Sequence, residues 1–479
     1  MTPAGPTGAA RPPTGRAAWR LRAAVTAGRL TGAASRSLGQ GGGTTLPGDV
    51  ARAIDPGVLS ALARQARHGT VLVSGTNGKT TTTALVRAAA RASGRTVVAN
   101  PSGANLVFGL TAAAVQAAPP SGKLVADWLV FEVDELSLPQ AVDELQPRCL
   151  TLLNLYRDQL DRSFELHQVA ARLQRAVEHL PAGAVCIANA DDPALAALAA
   201  GAREVRFFGI DDHALARDRL AAGADARLCP RCGAVLHFRA VLYAHCGTYH
   251  CPGCGWARPH PDWAAEGVRL AGLESVRFSI HAAGAVTAIT LPLGGMFSVA
   301  NGLAAFATCE VMGVPTSTTV RALAAAVPAF GRGERIELEG GAVRLLLAKN
   351  PAGMDEALLA AVAERPAAIA LGLNDGIADG RDVSWIWDAD LSPLLGAAAP
   401  QVVVVTGTRA ADLCLRLKYA GLPPERIRLA ETPAAALDAL LAAGRGAGAA
   451  PALLTYTAAL GWYAELTRRG AVSPYWSRA

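Results

Sequence analysis

The chain of 479 residues is short of several things. Lysine occurs only at positions 79, 123, 349 and 418, so the net charge of +6 is carried by arginine and says little about partners. No stretch reaches about 20 uncharged apolar residues, which argues against a membrane-spanning helix. The alanine-rich runs near Ala357–Ala370 and Ala434–Ala450 are broken by charge, proline or glycine. Charged residues make up only 18% and apolar residues 51%, which excludes disorder over most of the chain. Nine cysteines in so long a chain do not make a disulfide framework. Acid is missing from the N-terminal forty residues, which hold six arginines; the first acidic residue is Asp49. That segment has neither the apolar run nor the cleavage site of a signal peptide. Its centre, Ala17–Leu38, fits a basic helix with Trp19, Leu21, Val25 and Leu30 among the apolar positions. An organellar transit peptide, contact with an anionic membrane surface and a plain solvated arm all remain open. At roughly 150 residues per domain, the length suggests about three domains.

What is present starts with a phosphate-binding signal. The β-prone run Val71–Val73 leads into Ser74-Gly75-Thr76-Asn77-Gly78-Lys79-Thr80-Thr81-Thr82, and Ala84–Ala92 follows as a helix. Strand, glycine turn and helix in that order form a P-loop, whose backbone N–H groups and helix N-terminus attract phosphate. Lys79 would reach the β/γ-phosphates and the Thr80 hydroxyl would ligate Mg²⁺. Val73 stands where a strict Walker A motif has its first glycine, so this is a shorter variant. A second apolar run, Trp128–Val133, ends in carboxylates. Glu132 is the expected second Mg²⁺ contact, and Asp134 and Glu135 are alternatively solvated loop charges. Further strand-like runs at 150–155 and 184–188, alternating with helical segments such as Gln168–Leu180, predict a doubly wound α/β fold with a parallel sheet.

Cys229-Pro-Arg-Cys232-Gly and Cys251-Pro-Gly-Cys254-Gly form two knuckles eighteen residues apart. Four thiolates at this spacing suit a structural, tetrahedral Zn²⁺ in a small β-ribbon, with redox dithiols or disulfides as the alternatives. His245, Cys246 and His250 could substitute as ligands, but the paired pattern does not need them. The other cysteines sit in largely apolar contexts. Farther on, Phe330-Gly-Arg-Gly-Glu-Arg-Ile-Glu reads as a hinge before a last domain, with strands at 345–347, 367–373 and 401–405. Segment 374–388 holds four aspartates, two glycines and two tryptophans; it makes a poor core strand and a good site loop, or else a turn with tryptophan packed beneath it.

These motifs resemble the Mur ligase superfamily of ATP-dependent amide-forming enzymes. The matching pieces are Gly75–Thr81, Glu132, the segment Asn154–Asp161, Asn189-Ala-Asp-Asp-Pro193 and Gly294–Ala305. By that resemblance Gly75, Thr76, Asn77, Gly78, Lys79, Thr80 and Thr81 bind ATP and Asn301 contacts the adenine; read alone, Asn301 could be a plain helix cap. Two departures stand out: Gln159 replaces the usual histidine, and no lysine lies between 123 and 349 to bridge a second metal. Adding the ribbon, Lys349-Asn-Pro-Ala-Gly-Met354 and Asp379-Gly-Arg-Asp-Val-Ser-Trp-Ile-Trp-Asp388 narrows the resemblance to the ligase-like subunits of lipid II isoglutaminyl synthase. It implies a carbon–nitrogen ligase with glutamine as amide donor, which amidates the α-carboxylate of D-glutamate in the lipid II stem peptide. ATP, Mg²⁺ and structural Zn²⁺ are the implied cofactors. The implied partner is a GatD-like glutaminase subunit, since this chain has no Gly-x-Cys-x-Gly elbow. Asp382 is the residue implied to complete that partner's Cys–His pair, with Asp379 and Asp388 as neighbouring candidates. A cytoplasmic enzyme near the inner membrane face, with no nucleic-acid partner, follows. The expected fold is a Mur-type P-loop domain over 45–330 with the ribbon inserted at 225–260, a smaller α/β domain over 331–479, and a basic arm over 1–44. A Mur-type ligase joining an amino acid, as folylpolyglutamate synthases do, and a nucleotide-binding scaffold are the other readings.

Overall fold

The structure is a computed structural model that describes residues 15–37, 45–101, 103–158, 166–217, 220, 224–328, 330–444 and 448–473. Gln159 and Asp161 lie outside the described residues.

Seventeen strands are described. In the first half they are β1 (Gly69–Ser74), β2 (Val97–Val98), β3 (Trp128–Glu132), β4 (Cys149–Leu152), β5 (Val185–Asn189), β6 (Val205–Ile210), β7 (His237–Tyr243), β8 (Cys246–His250), β9 (Trp263–Ala271), β10 (Ser275–Ala282) and β11 (Ala285–Leu291). The second half has β12 (Arg332–Leu338), β13 (Gly341–Leu347), β14 (Ala368–Gly372), β15 (Val402–Thr406), β16 (Ile427–Leu429) and β17 (Ala450–Leu454).

The larger sheet has nine strands in the order β11-β10-β9-β6-β5-β4-β1-β3-β2. From β2 to β9 every pairing is parallel. The central strands β1, β3 and β4 are mostly apolar and, apart from Gly69 at the start of β1, buried along their length, as a parallel sheet covered on both faces requires. At the far edge β9, β10 and β11 run antiparallel. This extension adds an antiparallel edge to the expected parallel sheet. Strand β10 shows why: its burial alternates along its first six residues, the period of a strand with one solvated face.

Two cores flank this sheet. One packs helices 79–92 and 296–311 against it, and the other packs helices 107–117, 138–145 and 166–178 on the opposite face. The basic segment is a helix, Arg16–Ser37, whose Leu21, Ala24, Val25, Gly28 and Gly32 turn inward. The hairpin β7–β8 stands apart from both large sheets and carries the cysteine knuckles at its base. The smaller sheet, β12-β13-β17-β14-β15-β16, is parallel except for the edge pairing of β12 with β13. It has cores of its own on its two faces.

Candidate functional site

Strand β1 is buried on both sides of the sheet, so the chain must leave it at the carboxyl edge, where the glycine turn 75–78 begins. Gly78 precedes helix 79–92 with φ +91°, and a Cβ there would come within 2.1 Å of Asn301 Oδ1. Glycine is therefore needed both for the left-handed backbone and for the approach of Asn301. The turn is held from below by Asn154: the Asn77 N–H donates to Asn154 Oδ1 (2.8 Å), and Asn154 Nδ2 donates to the Asn77 carbonyl (3.0 Å). Thr76 Oγ1 accepts from the Tyr156 N–H (2.9 Å) and donates to the Tyr156 carbonyl (3.2 Å). The loop is thus stitched to the segment after β4 before any ligand arrives.

Lys79 is buried. Its ammonium donates to the Gly75 carbonyl at 2.6 Å and lies 3.2 Å from both oxygens of Glu135. Burial alone would lower the Lys79 pKa, but the field of Glu135, Asp134 and Glu132 outweighs it and the pKa ends raised. Burial raises Glu135, and the Lys79 charge more than reverses this, leaving its carboxyl below the usual range. Burial and the neighbouring Glu135 push Asp134 up. Glu135 is therefore no solvated loop charge: the turn after β3 folds it inward, and it is the direct counter-ion of the P-loop lysine. Glu132 is buried at the end of β3, its backbone clasped by Asn100 through two 2.9 Å bonds.

These groups open onto a cavity of about 600 Å³, also lined by Thr80, Asn301, Arg332 and Lys349. Asn301 lies in the second turn of helix 296–311, whose N-cap is Gly295, so it is not a cap. It sits 3.4 Å from Thr82 Oγ1. Arg332, at the start of β12, reaches the same cavity; burial lowers its pKa while Glu132 and Asp158 oppose that. The C-terminal half closes the cavity from the far side. Asn350 caps helix 351–363 through the Gly353 N–H (2.8 Å) and exchanges two amide hydrogen bonds with Asn77 (3.2 and 3.3 Å). Lys349 pairs with Asp158. Asn154, Arg332, Lys349 and Asn350 stand in motifs quoted from the sequence, and Glu135 beside one, but nothing in the sequence alone places them at this cavity. The Asn-Pro step before a helical run was the available signal for the cap at 350.

The cavity suits a nucleotide and Mg²⁺. Thr80 and the buried Glu132 both line it, and an acidic group faces a lysine that phosphate could draw away.

Asp382 lies outside the cavity. It is exposed, and the Ser384 hydroxyl and N–H (2.8 Å) hold its carboxyl below the usual range. Its neighbours differ. Asp379 is buried and bonded to the Gly376 N–H (3.1 Å) and the Thr457 N–H (2.7 Å). Asp388 forms an ion pair with Arg157 at 3.0 Å.

The four ribbon cysteines bring their sulfurs within 4.8 Å of one another. Cys229 and Cys254 are 3.7 Å apart and Cys232 and Cys251 3.4 Å. A tetrahedron with Zn–S bonds of about 2.3 Å needs S···S near 3.8 Å, so the donor set fits. His245 and Cys246 do not join it. They sit at the hairpin tip, where Cys246 Sγ shares a 3.2 Å hydrogen bond with the Tyr156 hydroxyl. Beside it the Ala244 N–H donates to Glu356 of the C-terminal half (3.0 Å).

Fold and site define a P-loop ligase of the Mur type: residues 73–230 match the Mur ligase middle domain, and residues 347–459 match the MurT ligase C-terminal domain. The chain is 32% identical to the Staphylococcus aureus (strain N315) lipid II isoglutaminyl synthase (glutamine-hydrolysing) subunit MurT, over 83% of this chain and 87% of that one. It is also 32% identical to the Streptococcus pneumoniae (strain ATCC BAA-255 / R6) MurT subunit, over 84% and 88%. A pseudomurein peptide ligase type C from Methanothermus fervidus shares the fold, with a TM-score of 0.63 at 18% identity over 84% of this chain and 79% of that one. The chain belongs to the MurT family.

Proposed function

We propose that this chain is the ATP-dependent ligase subunit of a lipid II isoglutaminyl synthase, converting the α-carboxylate of stem-peptide D-glutamate to an amide. A carboxylate at neutral pH resists attack by nitrogen. Transfer of the γ-phosphoryl group of ATP to a carboxylate oxygen gives an acyl phosphate and ADP; ammonia then adds to the carbonyl carbon and phosphate leaves. Lys79, released from Glu135 when phosphates enter, would neutralise charge on the transferring group. Thr80 and Glu132 would hold Mg²⁺, which supplies Lewis-acid stabilisation of the phosphates. Gly75–Thr81 would cradle the phosphates and Asn301 would contact the base. The domain division at about residue 330, with the ribbon at 225–260 holding Zn²⁺, belongs to the same reading.

The observation that carries the reading is that one cavity joins Lys79 of the P-loop to Lys349 and Gly353 of the C-terminal segment, while no activated thiol lies outside the ribbon among the described residues. Burial raises Cys149 and Cys309 to about 12 and raises Cys186, Cys246 and Cys414 as well. This supports a second, GatD-like subunit as the source of ammonia from glutamine, with Asp382 on the surface placed to orient its histidine. The deciding experiment is mass spectrometry of lipid II after incubation with ATP, Mg²⁺ and glutamine, with and without that glutaminase. Amidation lowers the mass by about one unit. A shift only with both proteins supports the reading; ATP turnover with no shift would bring forward a ligase that joins an amino acid to another acceptor.

A further inference from the structure

Helix 16–37 has two unlike faces. The inner one is built from Leu21, Ala24, Val25, Gly28 and Gly32; a Cβ on Gly28 would come within 2.8 Å of the Pro47 carbonyl, so the helix lies tightly on its neighbours 46–54 and 107–117. The outer face carries Trp19 and Leu30, 69% and 66% exposed. They are separated by about three helical turns and so share one side. Around them stand exposed Arg16, Arg20, Arg22 and Arg36. Gly122 touches Leu21 and brings the loop with exposed Lys123 and Val125 beside Arg22. The helix has no acid of its own. On helix 46–54 beneath it the one acid is Asp49, with Asp55 just past the helix end, and Arg52 is paired with Glu144 of helix 138–145 through two bonds of 2.7 and 2.8 Å. Large apolar side chains ringed by arginine, with no lysine–glutamate mixing, are unfavourable against water and favourable at an anionic lipid interface.

Position matters as much as composition. The helix rests on two others whose preceding residues, Thr45 and Leu106, line the nucleotide cavity. Its C-terminal half lies beside Pro47, and Gly48 touches Phe108. Leu46, Leu106 and Phe108 are exposed at that same end. An apolar and basic surface thus runs from Trp19 to the cavity rim.

We propose that this face is the membrane-docking surface of the enzyme: Trp19 and Leu30 enter the interfacial region of an anionic bilayer, the arginines meet its phosphates, and the cavity mouth is held beside the lipid-linked acceptor. The inference rests on the lipid II reading above, but its test needs no catalysis. The full chain, bound to its glutaminase partner, is sedimented with vesicles of phosphatidylglycerol or of phosphatidylcholine. Binding to the first only, lost near 0.5 M salt where the screening length is about 4 Å, is expected. Trp19→Ser/Leu30→Ser and Arg16→Glu/Arg22→Glu should each weaken partition by about tenfold or more while leaving the melting temperature unchanged, because all four side chains point outward. Amidation of vesicle-borne lipid II should fall with partition, while amidation of a soluble stem-peptide analogue should not. Equal partition of wild type and variants, or none for wild type, overturns the proposal. So does concentration-dependent dimerisation that the variants abolish, which would make the face a contact between copies.

Discussion

Lys79, paired with Glu135 in the fold, is on the reading above also the residue that meets phosphate. Lys79→Ala should abolish ATP turnover, but it also strands a buried carboxylate, at a cost of about 3 kcal/mol. Lys79→Ala/Glu135→Gln should regain most of the lost melting temperature and none of the activity; any recovery of turnover would remove Lys79 from phosphate binding. Asp382 is the opposite case, exposed and free of structural duty beyond its bond to Ser384, which asparagine can also accept. Asp382→Asn should leave ammonia-driven amidation near wild type and cut glutamine-driven amidation by orders of magnitude; equal loss with both donors would exclude a role at the partner. A third residue sets a pH dependence. Burial first, then Glu356 and Asp390, raise Asp355 to about 7 against the pull of the Asp390 N–H. A raised folded pKa means the folded state holds a proton that the unfolded chain has released. Stability is therefore full below about pH 4 and declines as pH rises to about 7, by a few kcal/mol at most. Asp355→Asn keeps an acceptor for the Asp390 N–H and should flatten that slope in denaturant titrations across the same window.

At the scale of elements, what the sequence made legible was whatever depends on spacing within one segment. The P-loop follows from strand, Gly75–Gly78 and helix in order, and the paired cysteines follow from two short intervals. Asp134 and Glu135 were ambiguous because burial after a strand end depends on which elements come to lie over the turn. Strands β9–β11 were missed because edge position is a property of the whole sheet, although the alternation in β10 was there to be seen. The destination of the ribbon hairpin was equally hidden. Its tip reaches between the P-loop support and the C-terminal half: Cys246 to Tyr156, Asn189 to the Tyr243 hydroxyl (2.8 Å), and Ala244 to Glu356. Zinc analysis of the pure protein should find about one ion per chain. Stripping the metal should loosen the knuckles and, through Tyr156 and Thr76, weaken ATP binding several-fold in equilibrium titration. Loss of metal with ATP affinity and thermal stability both unchanged would leave the hairpin without that bracing role.

For the molecule as a whole, the two halves have largely their own cores, crossed by Leu273 in the C-terminal one and by Ala352 against the first, and otherwise meet through polar groups. Asn77 pairs with Asn350, Arg157 with Asp388, Lys349 with Asp158, and Arg217 and Ala244 with Glu356. Such an interface is expected to open and close, since few apolar contacts cross it. The Asn77–Asn350 pair is the most direct link, because it ties the phosphate loop itself to the start of helix 351–363. Asn350 also caps that helix, so removing the side chain would confuse two effects. Asn350→Asp separates them: aspartate caps as well as asparagine, but it cannot donate to Asn77 Oδ1. Its carboxylate also faces the phosphate loop, where it opposes an incoming anion. The variant should melt within a degree or two of wild type, as an equivalent cap requires, while its KM for ATP rises about tenfold with kcat reduced less. Asn350→Ala should lose about 1 kcal/mol of stability as well. If Asn350→Asp instead binds ATP as wild type does, the halves are not drawn together through the phosphate loop, and closure must rest on the charged pairs Arg157–Asp388 and Lys349–Asp158.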